Sequence, residues 1–253
     1  MKVKELLEEL ASYLCISDFE DADVSMNGLQ VGNPDTEVVK VAFAVDACQK
    51  SIDAAVKEKA NVLFVHHGLF WGKPIAVTGA HYKRIKTLID NNICLIACHL
   101  PLDAHMELGN NFKMAEKIGL ENIKPFCEYH GKMIGCSGVL KKGLSNEEII
   151  KALGIRKNGT TVVIPGGKKK SKKIGIVSGG APYDVEDAIK ENLDAYITGE
   201  NAHSVYHTCI ENKINMLCLG HYETETFGVK AVADFVEKKY GIETVFLDVP
   251  SGL

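Results

Sequence analysis

The chain is predicted to be an α/β protein made of two similar halves, an internal pseudo-repeat. Three observations carry this. Strand-like apolar segments alternate with helix-length amphipathic segments through most of the 253 residues. The run Asn61-Val62-Leu63-Phe64-Val65 reads as a buried strand, and it ends in His66 and His67. The order of segments after residue 170 echoes the order before residue 100, with weak identity but a consistent sequence of elements.

Residues 3–15 have the apolar spacing of an opening helix, and residues 38–45 form the first clear strand. A helix is expected over 49–59, then the strand ending at His66, a loop rich in Gly, Trp and Pro, and a helix over 82–91. The next strand, 93–98, runs into His99-Leu100-Pro101-Leu102-Asp103-Ala104-His105. In the second half, 173–178 parallels 40–45, 194–198 takes the place of the strand leading to His66, and 215–221 parallels 93–99. The material from about 126 to 170 differs. It offers a strand at 132–140, a helix start at Ser145 with Glu148 in the capping-box position, and a β-branched strand at 160–164. The expected division is therefore 1–125 for an N-terminal half and 126–253 for a C-terminal half that includes this short connecting segment.

Length allows one large domain or two medium ones, with ample core. Hydrophobic residues make up 46% and charged residues 25%, ordinary values for a globular chain. No apolar stretch approaches the roughly 20 residues of a membrane span. The start, Met1-Lys2-Val3-Lys4-Glu5-Leu6-Leu7, patterns as an amphipathic helix rather than a signal peptide, so no membrane association and a cytoplasmic location are expected. A net charge of −4 does not favour nucleic acid as the main partner. The local exception is the run Lys168-Lys169-Lys170-Ser171-Lys172-Lys173, a solvated loop on the plainer reading and a phosphate contact on the sharper one. Eight cysteines without a C-x-x-C pair sit mostly in apolar segments and read as buried, reduced thiols.

Three strand ends carry metal-type residues: His66 with His67, then Asp103, then His221-Tyr222-Glu223-Thr224-Glu225. In an open α/β sheet the C-terminal edge of the strands is where ligands bind. Adjacent side chains on a strand point to opposite faces, so His66 and His67 would serve two ions unless the backbone turns at Gly68. His221 and Glu225 are four apart and share a face if the chain turns helical there. Taken singly, each has a structural reading: a packed imidazole pair, a turn residue after Pro101, a surface polar pair. Together, three imidazoles and two carboxylates are a donor set for two divalent ions, which can generate a hydrolytic nucleophile from water at neutral pH. Zn, Fe, Mn and Co fit equally, and a mononuclear site is the remaining alternative.

Met26-Asn27-Gly28-Leu29-Gln30-Val31-Gly32, His66-His67-Gly68-Leu69-Phe70-Trp71, His99-Leu100-Pro101-Leu102-Asp103 and Gly220-His221-Tyr222-Glu223-Thr224-Glu225 together resemble the signature of one family. It is the NGG-interacting-factor-like dinuclear metal-centre family, whose members are often labelled GTP cyclohydrolase type 2 homologues. The resemblance spans nearly the whole chain. It implies two α/β halves with a dinuclear metal site between them, a toroidal homohexamer, and metal ligation by His66, His67, Asp103, His221 and Glu225. Longer relatives carry an extra domain between the halves, and the segment here looks too short for it.

The expected function is hydrolase-type chemistry on a nucleotide, GTP cyclohydrolase-like, through a metal-bound hydroxide. The competing expectation is a metal-stabilised oligomeric scaffold or regulator that binds protein or nucleic acid. Glu200 is the first candidate for a catalytic acid/base, or else a carboxylate that orients a ligand histidine. His99 is the preferred residue to support a ligand from behind, with His105 and His203 as further candidates. Asn27-Gly28 reads as a tight turn and Gln30 as a ligand contact. Ser178-Gly179-Gly180 reads as a plain strand-to-helix turn ahead of a phosphate-binding one.

Overall fold

The computed structural model describes residues 1–156 and 161–253. The apolar runs become the strands of a five-stranded and a six-stranded sheet. Two compact units result, one of residues 1–102 and 229–249, the other of residues 103–228 and 250–253.

In the first unit, helix α1 (Val3–Tyr13) buries Val3, Leu6 and Leu10, the stripe its sequence spacing dictates. Strands β1 (Gly28–Val31), β2 (Lys40–Asp46), β3 (Val62–His67) and β4 (Cys94–Ala97) are joined by α2 (Gln49–Lys57) and α3 (Gly79–Asp90). β2, β3 and β4 are parallel, which obliges the helical crossovers. β1 lies antiparallel along β4. The other edge is completed by β11 (Glu243–Phe246), parallel to β2. Ala42, Ala44, Ile52, Leu63, Val65, Leu88, Leu95 and Leu247 fill the core against this sheet. The register pairs Asp46 with His67, so the last residues of β2 and β3 stand side by side at the carboxyl edge.

The boundary between the units falls within α4 (Leu100–Ala104); in the second unit α5 (Asn110–Ile118) leads into a long antiparallel hairpin, β5 (Leu120–Tyr129) and β6 (Lys132–Leu144). α6 (Asn146–Leu153) starts at Ser145, whose side chain accepts from Glu148 N, with Glu148 reaching back in the predicted capping box. Then come β7 (Val162–Pro165), β8 (Ser171–Ile176), α7 (Val185–Lys190), β9 (Ala195–Thr198), α8 (Val205–Glu211), β10 (Asn215–Cys218) and α9 (His221–Thr224), followed by α10 (Thr226–Tyr240), which from residue 229 on belongs to the first unit. β8, β9 and β10 are parallel, and β7 is antiparallel to β10. Thus β8-β9-β10-β7 repeats the order and senses of β2-β3-β4-β1, the form the sequence echo takes.

The units differ from the expected halves. Residue 125 lies inside β5, paired with Cys136 of β6, and the late strand β11 belongs to the first sheet. Strand pairing is long-range, and composition along the chain does not reveal it. The strand expected at 160–164 appears as β7, with Thr160 outside the described residues. All eight cysteines are free, and six of them are buried. Among the described residues no helix is long and apolar enough to cross a membrane.

Candidate metal centre

At the carboxyl edge of the first sheet, His66 is fully buried and His67 half-buried. Their ring centroids are 4.7 Å apart, so the two imidazoles lie together although they are strand neighbours. His66 Nδ1 donates to the Cys98 carbonyl at 3.0 Å, since a carbonyl can only accept. His67 Nδ1 meets Asp46 Oδ1 at 2.9 Å. With Nδ1–H donated in each case, the lone pair sits on Nε2, the arrangement of a metal-ligating imidazole held from behind. His99 joins them, its ring 5.1 Å from that of His66 and 5.6 Å from that of His67. One ring nitrogen from each of the three lies within 4.8 Å of the others. His99 Nδ1 meets Asp23 Oδ1 at 2.9 Å. Burial alone would raise the Asp23 pKa, but His99, Asn27 and the Ser25 amide hold it below the usual range.

In the second unit, Asp103 is buried within α4. Its Oδ1 accepts from Asn110 Nδ2 at 2.9 Å and from Ser178 Oγ at 2.8 Å. Asn111 braces the same turn, donating to the Asp103 carbonyl and accepting from Ser178 N. α9 supplies the helical turn that brings His221 Nε2 to 3.0 Å from Glu225 Oε1. His221 Nδ1 lies 2.6 Å from Glu200 Oε1. Burial pulls the His221 pKa down, yet the two carboxylates outweigh it and push the imidazole up to about 9. The ring is thus held between two carboxylates, one at each nitrogen. Gly179 (φ +68°) makes room for this pair: a Cβ there would run into Glu225 Oε1 and lie 3.2 Å from His221 Nε2.

These contacts sort the remaining candidates. Glu200 sits behind His221 as an orienting carboxylate. His105 Nδ1 accepts from Leu108 N at 3.0 Å and ties a turn. His203 lies on an exposed turn. Asn27 bonds His99 N and Asp23, and Gly28 opens β1. Gln30 pins the loop after His67 by accepting from Leu69 N and donating to Met26 O. In Ser178-Gly179-Gly180, the Ser178 and Gly179 amides already donate to Asn111 and Thr224, which fits the plain turn. Lys168 and Lys170 of the basic run form ion pairs with Asp194 and Glu148. The sequence reading missed Asp46, Asp23, Asn110 and Asn111, and the contact of the Ser178 side chain with Asp103. An Asp at the end of β2 was the one visible signal among them.

Imidazole nitrogens backed by acceptors, with carboxylate oxygens, fit a borderline divalent ion such as zinc, iron or cobalt. The protein is thus an α/β protein whose strand ends carry His, Asp and Glu groups able to bind metal. Comparison with known proteins narrows this. Residues 1–251 match the model of the family Duf34/NIF3 (NGG1p interacting factor 3). An Archaeoglobus fulgidus protein named "GTP cyclohydrolase 1 type 2 homolog" is 43% identical, with 100% of each chain covered. A Treponema pallidum protein of the same name is 39% identical, again with 100% of each chain covered. The crystal structure of a Thermus thermophilus protein is similar with a TM-score of 0.88 at 40% identity, covering 100% of both chains. The chain belongs to the Duf34/NIF3 family.

Proposed function

We propose that the protein is a metal-dependent hydrolase-type enzyme acting on a nucleotide, with His66, His67, Asp103, His221 and Glu225 as ligands for two divalent ions. The observation that carries this is the preparation of the donors. His66 and His67 are each held at Nδ1 by an acceptor, and Asp103 is held at one oxygen by two side-chain donors. Surface polar groups are rarely locked in this way, whereas ligands are. The name carried by the relatives supports a nucleotide as the substrate class. When bound, such ions supply Lewis-acid polarisation and a water of lowered pKa.

The chain's own residues do the rest. Glu200 fixes the rotation of the His221 ring and takes up its Nδ1 proton as a hydrogen bond. Asp46 does the same for His67. Ser178 and Asn110 keep one oxygen of Asp103 engaged, which leaves the carboxylate a single orientation. A cytoplasmic homo-oligomer, hexameric as the family resemblance implies, is part of the same reading. The alternative of a nucleic-acid-binding scaffold draws on the Lys168–Lys173 run, and the ion pairs of Lys168 and Lys170 lessen its charge.

Elemental analysis of wild type and Asp103→Ala, with nucleotide hydrolysis assayed on the same samples, tests the proposal. About two ions per chain with turnover in wild type, both reduced in the variant, are expected. Full hydrolytic activity in Asp103→Ala refutes the enzyme reading, and wild type that takes up no metal refutes the ligand set.

A further inference from the structure

Trp71 is the chain's one tryptophan, and it is 37% exposed. Burying an indole is worth more than burying almost any other side chain, so one left partly open yet held still is unusual. Several contacts hold it. Its Nε1–H donates to the Gly68 carbonyl at 3.0 Å, which uses the only polar group of the ring. Gly68 is seated against Gln30, whose amide a Cβ at Gly68 would strike, and Gln30 accepts from Leu69 N at 2.6 Å. On the residue before the indole, the Phe70 carbonyl accepts from Met26 N at 3.0 Å. On the residue after it, a Cβ at Gly72 would lie 3.1 Å from the Val24 carbonyl.

The place of the ring is equally defined. Its centroid is 5.0 Å from that of His99, nearly perpendicular, and 5.8 Å from that of His67, tilted. Met26 and Val24, in the segment that braces its loop, are 53% and 64% exposed and add apolar surface. With its N–H already engaged, the indole offers an arriving molecule only its π-system. A molecule engaged at the His67 ring has this surface within the length of one nucleoside. The ring is fixed in advance, so stacking on it costs little ordering entropy.

We infer that Trp71 is a stacking platform for the planar base of the nucleotide, a binding residue that selects heteroaromatic compounds at this site and favours purines over pyrimidines by contact area. This rests on the nucleotide reading of the proposed function and adds the residue that recognises the base. Every base has a π-face, so the platform sorts ligands by ring size and does not single out guanine over adenine.

The single tryptophan makes the test direct. Full-length, zinc-loaded protein is titrated with GTP, ATP, CTP and inorganic triphosphate while Trp71 emission and its quenching by acrylamide are followed. GTP affinity is measured by equilibrium dialysis in the cold for wild type, Trp71→Leu and Trp71→Phe. Acrylamide is expected to reach the indole before nucleotide is added. GTP and ATP are expected to quench the emission and shield it from acrylamide, CTP less so, and inorganic triphosphate not at all. Trp71→Leu is expected to weaken GTP binding about 5–150-fold, the 1–3 kcal/mol of one base–aromatic stack at 1.4 kcal/mol per decade, with triphosphate binding unchanged. Trp71→Phe still stacks without the N–H and is expected to lose less. Wild-type GTP affinity in Trp71→Leu overturns the inference and leaves the nucleotide reading intact. Trp71→Phe as weak as Trp71→Leu also overturns it, because the loss then belongs to the Gly68 bond. An indole closed to acrylamide in nucleotide-free protein overturns it too, with a second copy as its cover. Wild type that binds none of the nucleotides overturns both readings.

Discussion

Proton–metal competition at His221 gives the most quantitative prediction. The perturbation is pH, applied to the metal-free protein. Glu225 and Glu200 flank the ring at 3.0 and 2.6 Å, and despite burial they push it up to about 9. At pH 7 the imidazolium therefore outnumbers the neutral ring by about 100 to 1. An ion that binds through this ring must displace the proton, at about 1.4 kcal/mol per pH unit below 9, or about 3 kcal/mol at pH 7. Competition titration against a chromophoric chelator at constant ionic strength reads this directly. The log of the apparent affinity is expected to rise by about one per pH unit from 7 and to flatten near 9. Calorimetry at pH 7 in two buffers of different ionisation enthalpy is expected to show about one proton released per ion bound at this position. Glu200→Gln removes one of the two carboxylates and is expected to move the plateau to lower pH. The same protonation acts on stability with the opposite consequence. The folded-state pKa lies above the unfolded value near 6.5, so the contribution is full below pH 6.5 and is lost as pH rises through about 9. The metal-free protein is expected to be more stable at pH 6.5 than at pH 9.5 by about 3 kcal/mol from this group, to be checked by urea unfolding. An affinity that stays flat between pH 7 and 9, with no buffer dependence of the heat, refutes the reasoning.

Two further substitutions separate the site from the scaffold. Gly179→Ala places a methyl group against Glu225 and His221 at φ +68°. It is expected to cost about 1–2 kcal/mol in backbone strain alone, to lower Tm by roughly 2–8 °C, and to weaken metal binding; calorimetric melting and metal titration check this, and unchanged affinity would show that the pair tolerates displacement. Ser145→Ala removes the α6 cap, where Ser145 Oγ accepts from Glu148 N at 3.2 Å. A loss of about 1 kcal/mol, or roughly 2–4 °C in Tm, with unaltered metal content is expected from the same two measurements.

Local chemistry made much of the fold readable. The helix expected over 49–59 is Gln49–Lys57, the strand expected over 93–98 is Cys94–Ala97, and the Ser145 capping box stands where Ser and Glu were spaced for it. These features depend on residues within a turn or two of one another. β11 was not foreseen. Glu243–Phe246 is a short strand whose partner, β2, lies about 200 residues earlier, and nothing local selects that partner over another. The division at 125 failed to foresee the units for the same reason, since β5 takes its place by pairing with β6.

The site shows the same split more finely. His66, His67, Asp103, His221 and Glu225 stood out as candidates because each lies at or just beyond the end of an apolar strand, and the i, i+4 spacing of His221 and Glu225 became a contact once α9 formed. What prepares those groups was not legible. Asp46 reaches His67 because β2 and β3 pair in register, Asp23 reaches His99 across 76 residues, and Ser178 reaches Asp103 across 75. Which side chains carry donors is a property of composition and period, written residue by residue along the chain. Which acceptor holds each donor, and so which nitrogen keeps its lone pair and which imidazole keeps its proton, depends on register and burial, and those exist only once distant segments have packed.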